Sequence, residues 1–419
     1  MDSLDRAALE HALRAHVGRG ATWEEYDRTL PGSNLNLVLD HASRHVAAEF
    51  VLYWVVGGLP EIFCLKVGGV AAIAFHERYL LLTSLLRRLM LDPISGGSIR
   101  EELAERVLLK FMAEYALQQS QGELAATTFM KALVGQHVFL ADTAGLLALE
   151  HHTRNEVYMA MWFYGVLHEL GHLLRYPPGT SATDVLSDDS LYGAVTRVLA
   201  ELPYSRSEKE AILHAARSDP DHLLSASRLR SEGLADAFAA TMLLETSIQV
   251  LSRAGNQFSI DRFLMEQFMM LKIIATLEKC RLTVQAAVSP TPEVQQRVPL
   301  HEIAMAVRAL IVREHLRHTV LPFIRGWFRK TRLRRAAKLL DAVTSMLEAD
   351  IAFFDKGMER AMRFVLSWRA PQPTLLQAFA AEVKDSFIHQ MDSRSFLGLA
   401  DSFGTRSPGL DAIRKAVSP

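Results

Sequence analysis

His168-Glu169-Leu170-Gly171-His172 sits inside a helical pattern that runs from about Asn155 to Tyr176. A spacing of four puts the two imidazoles on one helical face, one turn apart, where both can grip a single ion. Neutral imidazole is a good donor to zinc, and a catalytic zinc takes three protein ligands so that a fourth position stays open. The stretch therefore asks for a third ligand from elsewhere. Ser231-Glu232-Gly233-Leu234-Ala235-Asp236 supplies one, because Glu232 and Asp236 also stand four apart and share a helical face. Glu232 completes a two-histidine, one-glutamate set for one Zn2+ per chain. Asp236 is placed to accept the remaining ring N–H of a ligand histidine and so to fix its tautomer. Glu169 follows a ligand without being one, the position of a general base that takes a proton from water.

Other histidines do not repeat the pattern. His76-Glu77 and His301-Glu302 lack a histidine at the fourth following position and read as strand ends or helix faces. His151-His152 lie more than about four helical turns before His168, too far to share its ion, and read as surface or cap residues. His315 and His318 share a helix face but bring no carboxylate, and read as solvated.

The pair of motifs, H-E-L-G-H followed by E-x-x-A-D at Glu232 to Asp236, resembles the gluzincin metallopeptidases. It is most similar to the CAAX prenyl endopeptidase family and its compact relatives, the minigluzincins. The likeness covers His168 to Ala240, and the separation of about sixty residues between the motifs suits that family, with helices over Tyr192 to Arg217 as an insertion. The resemblance implies a zinc endopeptidase acting on a protein or peptide substrate, with His168, His172 and Glu232 on the metal and Glu169 as the base. It also implies a small sheet beside the motif helix, whose edge strand binds extended substrate by strand addition. The oxyanion donor of such a site is left open between His301, His315, His318, an arginine, and a tyrosine from the N-terminal half, since no tyrosine follows Tyr204. Two other classes of function stay in view. One is a sensor or regulator that keeps the scaffold, acts by binding and has weak or conditional peptidase activity; the other is a structural helical protein carrying the motif by chance.

Away from the motifs, Phe50 to Phe75 is rich in Val, Ile, Phe, Tyr and Trp and is punctuated by Gly57-Gly58 and Gly68-Gly69, which predicts two or three strands. His137 to Leu140 reads as a further short strand. Most of the remainder has helical spacing, such as Leu80, Leu81, Leu85 and Leu89. The expected fold is mainly α with a small β-sheet, a zincin-like catalytic unit flanked by helical regions. The expected divisions are an N-terminal helical segment over 1–40, the catalytic unit over 41–250, a helical region over 251–400 and a loose tail over 401–419. Pro177-Pro178-Gly179 ends the motif helix, and Val288-Ser289-Pro290-Thr291-Pro292 breaks the chain before helices resume at about His301.

Composition narrows the class of partner. With 46 basic and 47 acidic side chains there is no overall field to draw nucleic acid. Arg325, Arg329, Lys330, Arg332, Arg334, Arg335 and Lys338, interleaved with Phe323, Trp327 and Phe328, read as a solvated helix face. Only Cys64 and Cys280 are present, in no metal or disulfide pattern, which fits a reducing cytoplasm. Residues 1–17 contain Asp2, Asp5 and Glu10 in place of the apolar run of a secretory signal, and Glu49, Lys66 and the Gly57-Gly58 break interrupt Val46 to Phe75 before a membrane-spanning length is reached.

Overall fold

The computed structural model describes residues 3–17, 21–28, 34–56, 61–76, 97–133, 157–177, 179–254, 260–326, 330–350, 352–368 and 396–418, together with 79, 83, 86, 89, 376 and 377. The His137 to Leu140 stretch, His151-His152, Leu80, Leu81, Leu85, Trp327 and Phe328 lie outside the described residues; Leu89 is helical and buried.

A small sheet forms where the sequence is β-branched and aromatic. Its strands are β1 (Thr22–Glu25), β2 (Glu49–Val56), β3 (Ile62–Val67) and β4 (Val70–His76). They lie in the order β1-β2-β4-β3, with β2 and β4 parallel and the other pairs antiparallel. Gly68-Gly69 closes the β3–β4 hairpin, and Gly68 has a φ of 60°, the left-handed conformation that a two-residue hairpin turn requires. Three strands fall in the anticipated stretch; β1 is additional.

Both faces of the sheet are covered, so β4 is buried along its whole length. Helix α1 (Ser3–Val17) lays Leu9, Leu13 and Val17 on one face, against Tyr53, Val55, Ala72 and Ala74. From the other face Leu52, Ile73 and Phe75 join the main core. That core takes in α2 (Asn34–Ala42), α3 (Gly97–Gln118), α4 (Gly122–Leu133) and α5 (Val157–Gly171), the last carrying the first motif.

Two short helices follow, α6 (Asp188–Glu201) and α7 (Arg206–Ser218), where the insertion is expected. They are capped by Ser187 and Ser205, whose hydroxyls accept the Ser190 and Glu208 N–H groups. Next come α8 (Ala226–Ala254), α9 (Ile260–Val288) and α10 (Pro292–His315), then α11 (Lys330–Asp350), α12 (Ala352–Leu366) and α13 (Pro408–Val417). Leu191, Val195 and Leu199 of α6 form a satellite core with Leu229 of α8 and Ile303 and Val307 of α10.

Three boundaries differ from the sequence reading, each for a local reason. Helix α5 stops at Gly171 because the next residues turn tightly, His172 N–H to Glu169 C=O, and then pair with residues 45–47: Ala47 N–H donates to Leu173 C=O and Arg175 N–H to His45 C=O. Helix α10 starts at Pro292, not near His301. Proline suits the first helical position, where its missing N–H is not needed, and the Thr291 hydroxyl accepts the Val294 N–H. The expected loose tail contains α13, capped by Ser407 at Leu410 N–H (3.1 Å), with Leu410 and Ile413 fully buried against the main core. Among the described residues no helix is long and apolar enough to cross a membrane.

Candidate metal centre

Helices α5 and α8 cross at Gly171 and Ala235. A Cβ on Gly171 would stand 2.5 Å from the Ala235 Cα, inside contact distance of backbone that cannot swing away, so glycine is what permits this approach. The crossing brings the two motifs together. His168, His172 and Glu232 each turn one donor atom into a common space, and these atoms lie within 4.8 Å of one another. His168 Nε2 is 3.3 Å from Glu232 Oε2, and His172 Nε2 is 3.8 Å from Glu232 Oε1. The imidazoles stand nearly perpendicular, at 89°.

The far nitrogens are occupied, which leaves both Nε2 atoms facing inward. His168 Nδ1 lies 2.8 Å from Asp236 Oδ1, and His172 Nδ1 lies 3.1 Å from Ser231 Oγ. This is the arrangement a metal-ligating histidine needs, with tautomer and ring angle set by an acceptor behind it. Two imidazoles and a carboxylate match the borderline character of zinc. No fourth His, Cys, Asp or Glu joins the group among the described residues, so the donors fit a zinc ion that keeps a free position.

Asp236 has no exposed surface and is fully engaged. Besides His168 it accepts the Tyr164 hydroxyl at 3.1 Å, Arg308 Nε at 2.6 Å and Arg308 Nη2 at 2.9 Å. A buried carboxylate needs such partners, and a forked guanidinium is the best of them. The third nitrogen of the fork, Nη1, reaches Glu232 Oε2 at 3.0 Å, so one arginine from α10 holds one candidate ligand and the residue behind another.

Charge and burial together move proton affinities here. Burial alone would raise Glu232 and Asp236, but His168 and Arg308 outweigh it: Glu232 falls to about 2 and Asp236 goes well below its usual range. Burial would lower His168, yet Asp236 and Glu232 carry it up to about 10, while His172 is lowered by burial and by His168. Glu169 is pushed up to about 7 by burial, with Glu232 adding to the effect and His168 opposing it.

Glu169 also accepts the backbone N–H of Cys64. Strand β3 is the edge of the sheet beyond β4, so Cys64 offers this N–H from the unpaired side, and Ile62 and Lys66, in the same phase, turn their backbone groups the same way. Glu61 and Ile62 line a cleft of about 400 Å³ that contains His168, Glu169, His172 and Glu232. The far wall comes from α8, α9 and α10. Burial pushes the Cys64 thiol up to about 12, with Glu169 contributing.

Among the other donors considered from sequence, His301 lies in the cleft and its Nε2 is 3.3 Å from the Ala275 carbonyl. His315 faces Thr241 Oγ1 at 2.8 Å, and His318 faces Glu314 at 3.1 Å; neither lines the cleft. Tyr79 is the tyrosine from the N-terminal half that does, with its phenol pushed up to about 12 by burial. Arg228, Arg281 and Arg308 are the arginines there.

Arg308 and Tyr164 were not singled out from sequence. A signal for Arg308 exists: it follows Ile303, Ala304 and Val307 on the buried stripe of α10, where a cation needs a buried anion. No family model, curated protein or solved structure matches the chain.

Proposed function

We propose that the chain is a zinc-dependent metallopeptidase of the gluzincin type, an endopeptidase in which His168, His172 and Glu232 hold one zinc ion. The convergence of the three donors on one cleft, with the Glu169 carboxyl lining it beside them, is the observation that carries this reading. When bound, zinc supplies a Lewis acid that lowers the pKa of water towards ~7 and polarises the scissile carbonyl.

The protein residues do the rest. Glu169, one residue after His168 and lining the same cleft, accepts a proton from the attacking water and returns it to the leaving amine nitrogen. Arg308 and Asp236 hold Glu232 and His168 in place. The outer edge of β3 aligns an extended peptide across the cleft by main-chain hydrogen bonds. Tyr79 donates to the developing oxyanion, or His301 does after releasing the Ala275 carbonyl. Two free thiols and the absence of a spanning helix among the described residues suit a cytoplasmic enzyme.

The test uses purified protein, elemental analysis and a mixed peptide library read by mass spectrometry. Expected are one zinc per chain, cleavage abolished by a chelator and restored by zinc, and a Glu169→Gln variant that keeps its zinc while turnover falls by a factor of ~10² or more. Zinc-loaded protein that cleaves nothing, or Glu169→Gln protein with full activity, overturns the reading. A protein acting by binding alone keeps its biological output in Glu169→Gln.

A further inference from the structure

Three arginines line the cleft, and two of them are already committed. Arg308 is divided between Asp236 and Glu232, and Arg281 sits between Glu61 at 3.0 Å and Glu278 at 3.5 Å. Arg228 differs. It is exposed, and among the described residues it has no carboxylate partner; its hydrogen bond is a long one, Nη1 to the Asp221 carbonyl at 3.4 Å. It also stands four residues before Glu232 on α8, and residues so spaced share a helix face with Cβ atoms about 5–6 Å apart. A free guanidinium is thus held on the cleft wall one helical turn from a metal ligand.

From this geometry we infer that Arg228 is a specificity-determining residue that binds a carboxylate of the substrate close to the cleaved bond. The inference rests on the peptidase reading above and names the substrate class for it: peptides with an acidic side chain, or a free C-terminus, near the scissile position. The chemistry follows from the fork. A planar guanidinium with unspent N–H groups matches a carboxylate through two parallel charge-assisted hydrogen bonds. The other cleft cations cannot compete without giving up carboxylates they already hold, Asp236 among them with no exposed surface. Asp236 and Glu232 draw on Arg308, Glu61 and Glu278 draw on Arg281, and Glu169 is the base, so a substrate anion meets an unneutralised cation at Arg228.

The experiment titrates the zinc-loaded full chain with dipeptide hydroxamates, which anchor on the metal and so require no knowledge of the natural sequence. Four probes are compared by calorimetry, with Asp or Asn beside the hydroxamate-bearing residue and each with a C-terminal carboxylate or amide. At least one charged probe is expected to bind about tenfold or more tighter than its neutral partner, the side-chain and C-terminal pairs telling the two sources apart. In Arg228→Gln that preference disappears, while neutral probes bind within about twofold of wild type; Arg228→Lys keeps part of it, as a point charge without the fork. Thermal melting and zinc content are checked in parallel to show that the variants fold. Equal binding of charged and neutral probes to wild type, or a preference that survives in Arg228→Gln, overturns the inference while leaving the zinc site standing. Failure of every hydroxamate to bind overturns the peptidase reading and this inference with it.

Discussion

Residues 168–172 and residues 315–318 both offer two histidines about one helical turn apart, yet only the first pair is met by carboxylates from α8. At His168 and His172 the opposing stretch of α8 presents Ser231, Glu232 and Asp236; at His315 it presents the Thr241 hydroxyl. A π-helical turn at Leu316–Val320 follows His315 at once, and its wider winding carries His318 off to Glu314 and solvent. Histidine spacing is therefore half of a metal site. The other half is the length of a second helix that meets it, and whether carboxylates there are held in place from behind.

The strongest test of this contrast removes one pair at a time. His168→Ala is expected to lower zinc affinity by more than about a hundredfold, a larger loss than those typical of residues behind the ligands, whereas the double change His315→Ala, His318→Ala leaves zinc at one per chain by elemental analysis. A smaller effect is expected behind the ligands. Arg308→Lys keeps the charge but loses the fork on Asp236, and competition against a chelator should show zinc affinity down by about 10–100-fold. If Arg308→Lys binds zinc like wild type, the support from behind contributes little and spacing alone suffices.

Packing at the crossing comes next. Gly171→Ala forces a methyl group against the Ala235 backbone and should cost about 1–3 kcal/mol in urea unfolding, with zinc occupancy reduced as the helices part. The smallest effect has the opposite sign. Gly193 of α6 is exposed with open space where a Cβ would stand, so Gly193→Ala should stabilise the protein by about 0.5–1 kcal/mol through helix propensity alone and leave the site untouched. Equal outcomes at the two glycines would remove the case that Gly171 is there for the helix crossing.

The convergence of His168, His172 and Glu232 was legible because its parts are local patterns: two residues four apart on each of two helices. The sheet was legible for the same reason, from β-branched runs and a Gly-Gly turn. Arg308 was not, because its meaning lies in a partner 72 residues away along the chain, and a lone arginine in a helical stretch looks solvated until the fold buries it. Two stretches containing proline differ from their reading. Pro292 falls in the expected break and Pro408 in the expected loose tail, but each stands in the first turn of a helix with a hydroxyl cap before it, Thr291 and Ser407. In α13 the apolar residues Leu410, Ile413 and Ala416 recur every three positions, a stripe short enough to be lost among the Gly, Ser and Pro around it.

The reach of Arg308 also bears on how far this molecule can be pared down. Asp236 has no exposed surface, and its two shortest nitrogen contacts besides His168 come from beyond residue 250. A fragment ending there would strand that charge and uncover the side chains of α8 that α10 packs upon. The candidate centre is not a cassette with accessories attached. The contacts that hold the candidate centre run from the edge strand of the sheet to α10, and recombination or truncation experiments should keep that span whole.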